Sequence, residues 1–216
     1  VGAVGGYGYQ RKRLAPHLVY YADSTAGNRR LLVGWPGLKN RLMMPVSIWL
    51  SFLESFGFDL LLIRRSGPRD LGSQLDWNSS AARDSAQVLE QLTSNYKRQT
   101  PSIVGTSAGA SSALAQALLG GYHKASIVGL LDWGDVEQQL ASQTMPVVQA
   151  DTRLDFPGDS LFFTVGALAR NDTLASRNAK RALGGTLITV PGEGHGPLWS
   201  LARKGEFEDW VGQTLA

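Results

Sequence analysis

Apolar runs and amphipathic stretches alternate along the chain, separated by turns rich in glycine, proline and polar residues. Short continuous apolar runs are typical of buried strands, whereas apolar positions three and four residues apart indicate helices. The pattern predicts strands at 17–22, 30–33, 58–63, 102–105, 125–131, 161–165 and 186–190. It predicts helices at 46–56, 79–96, 108–119, 136–142, 175–183 and 207–215.

This order of elements is typical of a mostly parallel sheet covered by helices on both faces. We therefore expect an α/β protein, a three-layer α/β/α sandwich. The length of 216 residues suits one domain, residues 1–216, with a sizeable core. Only about thirty residues separate the strands at 125–131 and 161–165, room for roughly one helix and a loop, so we expect a minimal lid and an open site.

Composition narrows the class of protein. Hydrophobic residues make up 43% and charged residues 18%, and no apolar run approaches the roughly 20 residues of a membrane span, which together predict a soluble protein without a transmembrane segment. The absence of cysteine excludes disulfides, thiolate metal sites and a cysteine nucleophile. The net charge of +3 comes from scattered basic residues, so nucleic-acid binding is not predicted. The first residue is Val1, which is consistent with removal of a leader or a neighbouring segment.

A glycine-flanked serine stands between the predicted strand 102–105 and the predicted helix 108–119. Residues 105–109 read Gly-Thr-Ser-Ala-Gly, which is the G-x-S-x-G pattern of a nucleophile elbow. Small residues are needed two positions either side of the serine, because strand and helix approach closely there. Gly105 and Gly109 occupy those positions, so Ser107 is the predicted nucleophile.

A serine becomes nucleophilic at neutral pH only with a base in hydrogen-bond reach and a carboxylate that orients the base. Of the three histidines, His195 follows the last predicted strand in a loop rich in glycine and proline. His17 begins an early strand and His123 follows a helix end, so both are interpreted as structural or surface residues. His195 is therefore the predicted base.

The orienting acid is expected between serine and histidine in chain order, after a strand. Asp172 follows the strand 161–165 and is the favoured candidate. Asp132, after the preceding strand, is the alternative, with Asp135 behind it. Aspartate at such a position also commonly caps the next helix, so the choice stays open.

Two backbone N–H groups must face the oxyanion that forms during acyl transfer. Ala108, at the start of the helix after the serine, is the predicted first donor. The second is expected from the loop after the strand 30–33, with Trp35 preferred and Leu38 as the alternative. Pro36 cannot serve, because proline has no N–H.

Aromatic and basic side chains also follow predicted strands, at the edge where open α/β sheets bind ligands. Trp133 and Trp199 are predicted aromatic contacts to a substrate, with structural packing as the alternative for each. Arg65 and Arg170 are predicted basic contacts. The other basic residues near this edge are Lys39, Arg41, Arg64 and Arg69. Together they would attract an anionic substrate, although ordinary solvation of loops is the simpler interpretation.

With these residues, in this order, the chain resembles the α/β-hydrolase superfamily over nearly its whole length. The matching positions are Gly-Thr-Ser-Ala-Gly at 105–109, Gly-Trp-Pro-Gly at 34–37, Asp172 and Gly-His-Gly at 194–196. The resemblance implies an acyl-enzyme on Ser107, with His195 as base and Asp172 as acid. Two departures stand out: Val33 replaces the histidine that many members have before the oxyanion loop, and the gap from Gly166 to Asp172 is longer than usual.

We therefore expect a serine hydrolase that cleaves an ester or thioester of a small soluble substrate, without cofactor or metal. Peptidases and acyltransferases use the same machinery, and the sequence does not rank them. A catalytically silent hydrolase-like module that binds a small molecule or a partner is the alternative from a different class. The presence of serine, histidine and aspartate together argues against it. Compartment and oligomeric state stay open.

Overall fold

The computed structural model describes residues 2–3, 8–15, 18–23, 29–37, 41–64, 91–92, 96, 100–119, 122–134, 136–137 and 158–216. Several expectations lie outside these residues. They concern most of the predicted helices 79–96 and 136–142, the stretch expected to hold a minimal lid, and the side chains of Leu38, Lys39, Arg65, Arg69 and Asp135.

The described strands form one sheet. In chain order they are Gly2–Ala3 (β1), Tyr9–Ala15 (β2), Leu18–Asp23 (β3), Arg30–Trp35 (β4), Phe58–Ile63 (β5), Ser102–Thr106 (β6), Ala125–Val128 (β7), Leu161–Gly166 (β8) and Thr186–Val190 (β9). Their order across the sheet is β1-β2-β3-β5-β4-β6-β7-β8-β9. Strands β4 to β9 are parallel, and β1, β2 and β3 pair antiparallel at one side.

Helices cover both faces of this sheet. Within the described residues the complete α-helices are Val46–Ser55 (α1), Ala108–Leu119 (α2), Arg170–Leu183 (α3), Pro197–Lys204 (α4) and Phe207–Thr214 (α5). One core joins the sheet to α2 and α3, and a second joins it to α1, α4 and α5. The predicted three-layer α/β/α sandwich with a mostly parallel sheet is therefore confirmed. Among the described residues, no helix has the length and apolar character to cross a bilayer.

The central strands are buried on both faces, as continuous apolar runs in parallel sheets are. Every residue of β5 is buried, including Asp59. Strand β2 was not predicted, because its sequence Tyr-Gln-Arg-Lys-Arg-Leu-Ala carries the charges that strands near a sheet margin use to avoid unwanted pairing. The eight-residue helix α4 was also missed, since it begins at Pro197, a residue that suits the first helical position but reads as part of a loop.

A buried polar cluster joins elements at the amino ends of the parallel strands. Arg29 Nε donates to Asp59 Oδ1 at 2.6 Å, with side-chain exposures of only 6% and 7%. Tyr96 donates its hydroxyl to Asp59 Oδ2 at 2.6 Å. The hydroxyl of Tyr20 also contacts Asp59 and Tyr96, and burial raises the pKa of Tyr20 to about 12. The Asp59 charge is thus compensated within this cluster, at the sheet edge opposite the predicted site.

Candidate active site

Ser107 occupies the sharp turn between β6 and α2. Its φ is 54°, in the left-handed region that non-glycine residues rarely adopt. Two backbone bonds hold this conformation: the Ser107 N–H donates to the Val128 carbonyl at 2.8 Å, and the Ser107 carbonyl accepts from the Ala110 N–H at 2.8 Å. The turn therefore has the strained backbone that an exposed nucleophile at a strand-to-helix junction requires.

The two glycines of the motif are required by close packing. A Cβ atom on Gly105 would lie 2.3 Å from the Ala113 Cβ, and one on Gly109 would lie 2.3 Å from the Trp35 carbonyl oxygen. Neither distance is compatible with any side chain at these positions. The first contact sets how closely β6 and α2 approach, and the second presses the turn against the end of β4.

The structure brings Ser107, His195 and Asp172 into one hydrogen-bonded chain. His195 Nε2 lies 2.7 Å from Ser107 Oγ, and His195 Nδ1 lies 2.5 Å from Asp172 Oδ2. An ionised carboxylate only accepts hydrogen bonds, so Nδ1 donates to Asp172 and Nε2 is left to accept the Ser107 proton. The hydrogen bond to Asp172, opposed in part by burial, raises the pKa of His195 above its usual value.

Neighbouring loops fix the imidazole and the carboxylate. His195 follows β9, and its loop is tied to the turn after β8 by the Leu168 N–H, which donates to the Glu193 carbonyl at 2.8 Å. Behind the pair lies Gly129, where a Cβ atom would be 3.1 Å from His195 Cε1 and 3.3 Å from Asp172 Oδ2. The His195 side chain remains 44% exposed, whereas that of Asp172 is 5% exposed. The imidazole thus faces both solvent and the serine.

The two candidate acids have different surroundings. Asp172 was expected after a turn at 166–171 and before a helix at 175–183, but α3 begins at Arg170 and places Asp172 in its first turn. The apparent long gap after Gly166 is therefore partly helix. Asp132 is exposed, and its Oδ1 accepts the Gly134 N–H at 2.9 Å, a local contact of the capping type. The structure thus brings Asp172, and not Asp132, to His195.

The predicted oxyanion donors lie on the two segments that meet at Ser107. Ala108 is the first residue of α2, and Trp35 is the last residue of β4. The Trp35 indole is buried and donates to Gln116 Oε1 at 2.8 Å, so this side chain packs inside while its backbone borders the turn. The Gly37 N–H donates to the Arg41 carbonyl at 3.0 Å. The assignment of the donors stays a prediction.

The predicted substrate contacts lie in different environments. Trp199, on α4 four residues after His195, is exposed. Trp133 packs against the core, and its indole donates to Glu137 Oε1 at 2.8 Å. Arg170 is exposed at the start of α3, whereas Arg65 lies outside the described residues.

Two residues at this site were not singled out from the sequence. Met43 has a φ of 61°, and its Cε lies 3.0 Å from the point where a Gly129 Cβ would be, beside His195. Thr106 precedes the serine and bonds the loop after β4. Within the residues that the structure describes, no cluster of three or more acidic or histidine side chains could hold a metal ion.

No family model and no curated protein sequence matches this chain. Solved structures do. The carboxyl esterase 2 of the mycorrhizal fungus Tuber melanosporum is 11% identical, with a TM-score of 0.65 over 97% of this chain and 85% of that one. An S-formylglutathione hydrolase from Agrobacterium tumefaciens is 13% identical, with a TM-score of 0.62 over 98% of both chains. A dienelactone hydrolase from Anabaena variabilis is 15% identical, with a TM-score of 0.57 over 97% of this chain and 100% of that one.

These likenesses concern the fold, since identities this low carry no residue-level correspondence. The strand order of the sheet, the serine at the junction of β6 and α2, and the similar structures agree. The chain therefore has the α/β-hydrolase fold, as its sequence resemblance implied.

Proposed function

We propose that this α/β-hydrolase-fold protein is a serine hydrolase that cleaves carboxylic esters or thioesters through an acyl-enzyme on Ser107. The observation that carries the proposal is the continuous hydrogen-bonded chain from Ser107 Oγ through His195 to Asp172. The 2.7 Å distance from Ser107 Oγ to His195 Nε2 falls in the range needed for proton transfer between a nucleophile and its base. The similar structures named as esterases and hydrolases support the same class of reaction.

In the proposed reaction, His195 Nε2 takes the proton of Ser107 as Oγ attacks the ester carbonyl. The tetrahedral oxyanion accepts hydrogen bonds from the backbone N–H groups of Ala108 and Trp35. His195 then protonates the leaving alcohol or thiol as its bond to the carbonyl carbon breaks. A water molecule loses a proton to His195 and attacks the acyl carbonyl. His195 then returns that proton to Ser107 Oγ as the bond from Oγ to the carbonyl carbon breaks, which releases the acid and free Ser107. Throughout, Asp172 holds the imidazole and stabilises its charged form.

Peptidases and acyltransferases would use these same groups, and a silent binding module would not use them at all. A silent binding module would not explain why Ser107, His195 and Asp172 form one hydrogen-bonded chain. It would also not explain why Ser107 has an unfavourable φ of 54°. Backbone strain of this kind costs of order 1–3 kcal/mol and is kept where the surrounding structure enforces it. We therefore place the hydrolase first.

The surroundings of the site favour an apolar acyl group. The exposed large apolar side chains of the described residues are Leu131, Leu168, Leu174 and Trp199. Leu131 and Leu168 directly follow β7 and β8, and Trp199 lies four residues after His195, so these three follow the strand ends near which Ser107 and His195 lie. Burying such side chains against a substrate contributes about 25 cal/mol per Å² of apolar surface. The exposed Arg170 supports the alternative of an anionic acyl group.

A panel of p-nitrophenyl esters separates these substrate classes. We expect kcat/KM to rise from acetate to medium-chain acyl groups, and Trp199→Ala to reduce this rise by increasing KM. Trp133→Ala is the matched control, because its indole is engaged with Glu137 and its loss should lower stability without changing chain-length preference. A preference for a hemisuccinate ester that weakens as salt rises would favour the anionic class instead.

The nucleophile is tested by Ser107→Ala, which should abolish ester turnover while the circular dichroism spectrum and thermal midpoint stay near those of the parent protein. Ser112→Ala, the same change at a buried position in α2, should retain turnover. Unchanged hydrolysis by the Ser107→Ala protein would rule out the proposed mechanism.

A further inference from the structure

The residue before the serine bonds the loop that follows β4. Thr106 is fully buried. Its Oγ1 accepts the Gly37 N–H at 3.2 Å and donates to the Arg41 carbonyl at 3.3 Å. The Gly37 N–H also donates to that carbonyl at 3.0 Å. A single hydroxyl therefore contacts both ends of the segment 37–41 and uses its donor and its acceptor capacity to do so.

Gly37 lies directly against the nucleophile. A Cβ atom on Gly37 would be 2.8 Å from the Ser107 Cβ and 2.9 Å from the Thr106 carbonyl oxygen. On the other side of the turn, Gly109 packs against the Trp35 and Pro36 carbonyls at 2.3 and 2.5 Å from its ideal Cβ position. Backbone 35–37 and the turn at Ser107 are thus in close contact at two points, and the Thr106 hydroxyl is a side-chain link between the residue before Ser107 and the Gly37 backbone.

From this arrangement we infer that Thr106 is a positioning residue, which holds backbone 35–37 at a fixed distance from Ser107 and so sets the geometry of the oxyanion site. The inference rests on the proposed function. Its physical basis is that oxyanion donors act through fixed orientation. A displacement of about 1 Å in a catalytic geometry can reduce the rate by roughly 10²-fold. The hydroxyl matters because it bonds both the buried Gly37 N–H and the Arg41 carbonyl, and so joins the residue before Ser107 to the chain that follows β4.

The test compares Thr106→Val, which keeps the shape and removes the hydroxyl, with Thr106→Ser, which keeps the hydroxyl. We expect Thr106→Val to lower kcat roughly 10- to 100-fold with KM changed less than about twofold. Thr106→Ser should recover most of this loss. The pH midpoint of kcat/KM should stay unchanged in both, since the His195–Asp172 pair is not altered.

Thr164→Val is the matched control. Thr164 is also fully buried in a strand, and its Oγ1 accepts a hydrogen bond from the Trp210 indole at 3.0 Å. Its replacement removes a buried hydrogen bond of the same kind and should lower the thermal midpoint while leaving kcat intact. A fall in kcat as large as that of Thr106→Val would overturn the inference, because any buried threonine would then produce it.

A boronic acid inhibitor provides the second readout, because it forms a tetrahedral anion on an active serine. Its affinity should fall in Thr106→Val in parallel with kcat/KM, whereas the affinity of a non-reactive amide analogue should not. If Thr106→Val does not fold, we compare Thr106→Cys with Thr106→Ser instead. These two variants differ mainly in that one carries a thiol and the other a hydroxyl. Equal kcat in that pair would overturn the inference.

Failure of the inference and failure of the proposed function give different results. Absence of reaction between the parent protein and a fluorophosphonate would contradict the proposed function itself. Labelling of the parent protein at Ser107, combined with an equal labelling rate in Thr106→Val, would contradict only the role of Thr106. A slower rate in Thr106→Val and recovery in Thr106→Ser is the result expected.

Discussion

Ser107 and Met43 are the non-glycine residues with positive φ among those that the structure describes, and both lie beside His195. A bulky residue such as methionine rarely adopts this conformation. Backbone strain of this kind is found most often at functional sites, where the surrounding structure enforces the conformation. At Ser107 the enforcing contacts are the backbone hydrogen bonds to the Val128 carbonyl and from the Ala110 N–H.

The acid is tested through the pH dependence of catalysis. His195 acts as a base only when neutral, so kcat/KM should rise with pH through its pKa, which the Asp172 hydrogen bond raises above the usual value. Asp172→Asn removes that bond, so the midpoint should move to lower pH. The plateau of kcat should fall roughly 10⁴-fold, because the imidazole loses its orientation.

Asp132→Asn is the control for this prediction. Its carboxylate accepts the Gly134 N–H and has no contact with the imidazole, so we expect the pH midpoint and the plateau to match those of the parent protein. A large loss of kcat in Asp132→Asn, with little in Asp172→Asn, would assign the acid to the other loop.

At the scale of single residues, the sequence indicated Ser107, His195 and Asp172 because each follows a strand in a fixed chain order. It could not indicate Thr106 or Met43, because their importance depends on contacts with segments distant in sequence. Thr106 stands at a variable position of the motif, and its partners Gly37 and Arg41 lie about 65 residues away. Met43 is marked by its backbone conformation, which no local pattern encodes.

At the scale of elements, β5, β9 and α2 begin and end where the hydrophobic pattern predicted. Helix α3 begins five residues earlier than the pattern indicated, because its first turn is polar and carries no apolar face. Strand β2 was missed for a similar reason: its sequence is rich in charged residues, and pairing with β3, rather than its own composition, makes it a strand.

The close approach of β6 and α2 is tested by Gly105→Ala. The added Cβ would lie 2.3 Å from the Ala113 Cβ and 2.8 Å from the Gly109 carbonyl oxygen. Overpacking of this kind costs about 1–3 kcal/mol, so the free energy of unfolding in urea should fall by that amount. Ester turnover should fall as well, because the strand and the helix must separate at Ser107.

The change from glycine to alanine at Gly212 should have the opposite effect on the free energy of unfolding. Gly212 lies within α5, where a Cβ would meet only Phe56 at an ordinary 3.4 Å. Alanine is favoured over glycine in a helix by about 0.5–1 kcal/mol, so Gly212→Ala should raise the free energy of unfolding and keep turnover. Equal destabilisation by both changes would show that the Gly105 contact is not specific.

At the scale of the whole molecule, the carboxyl and amino ends of the parallel strands carry side chains with different roles. The carboxyl ends of the parallel strands present Ser107 and His195, whereas the amino ends hold the buried pair of Arg29 and Asp59. Removing one partner of a buried pair leaves the other charge uncompensated. Such a change should affect stability at one edge without affecting chemistry at the other.

Arg29→Met is the variant that tests this separation. We expect the free energy of unfolding to fall by about 3–5 kcal/mol, while kcat and KM at a temperature well below the thermal midpoint stay unchanged. Arg203→Met removes a side chain that is 70% exposed and lies 4.0 Å from Glu193, so it should change stability little. Loss of kcat in folded Arg29→Met protein would show that the two edges are coupled.

The most direct test of the central claim is the reaction of the folded protein with a fluorophosphonate, followed by mass spectrometry of its peptides. An activated serine forms the adduct and an ordinary hydroxyl does not. We predict one adduct per chain, on Ser107, with its formation strongly slowed in His195→Ala. No adduct on the folded protein, or an adduct on another residue, would contradict the account.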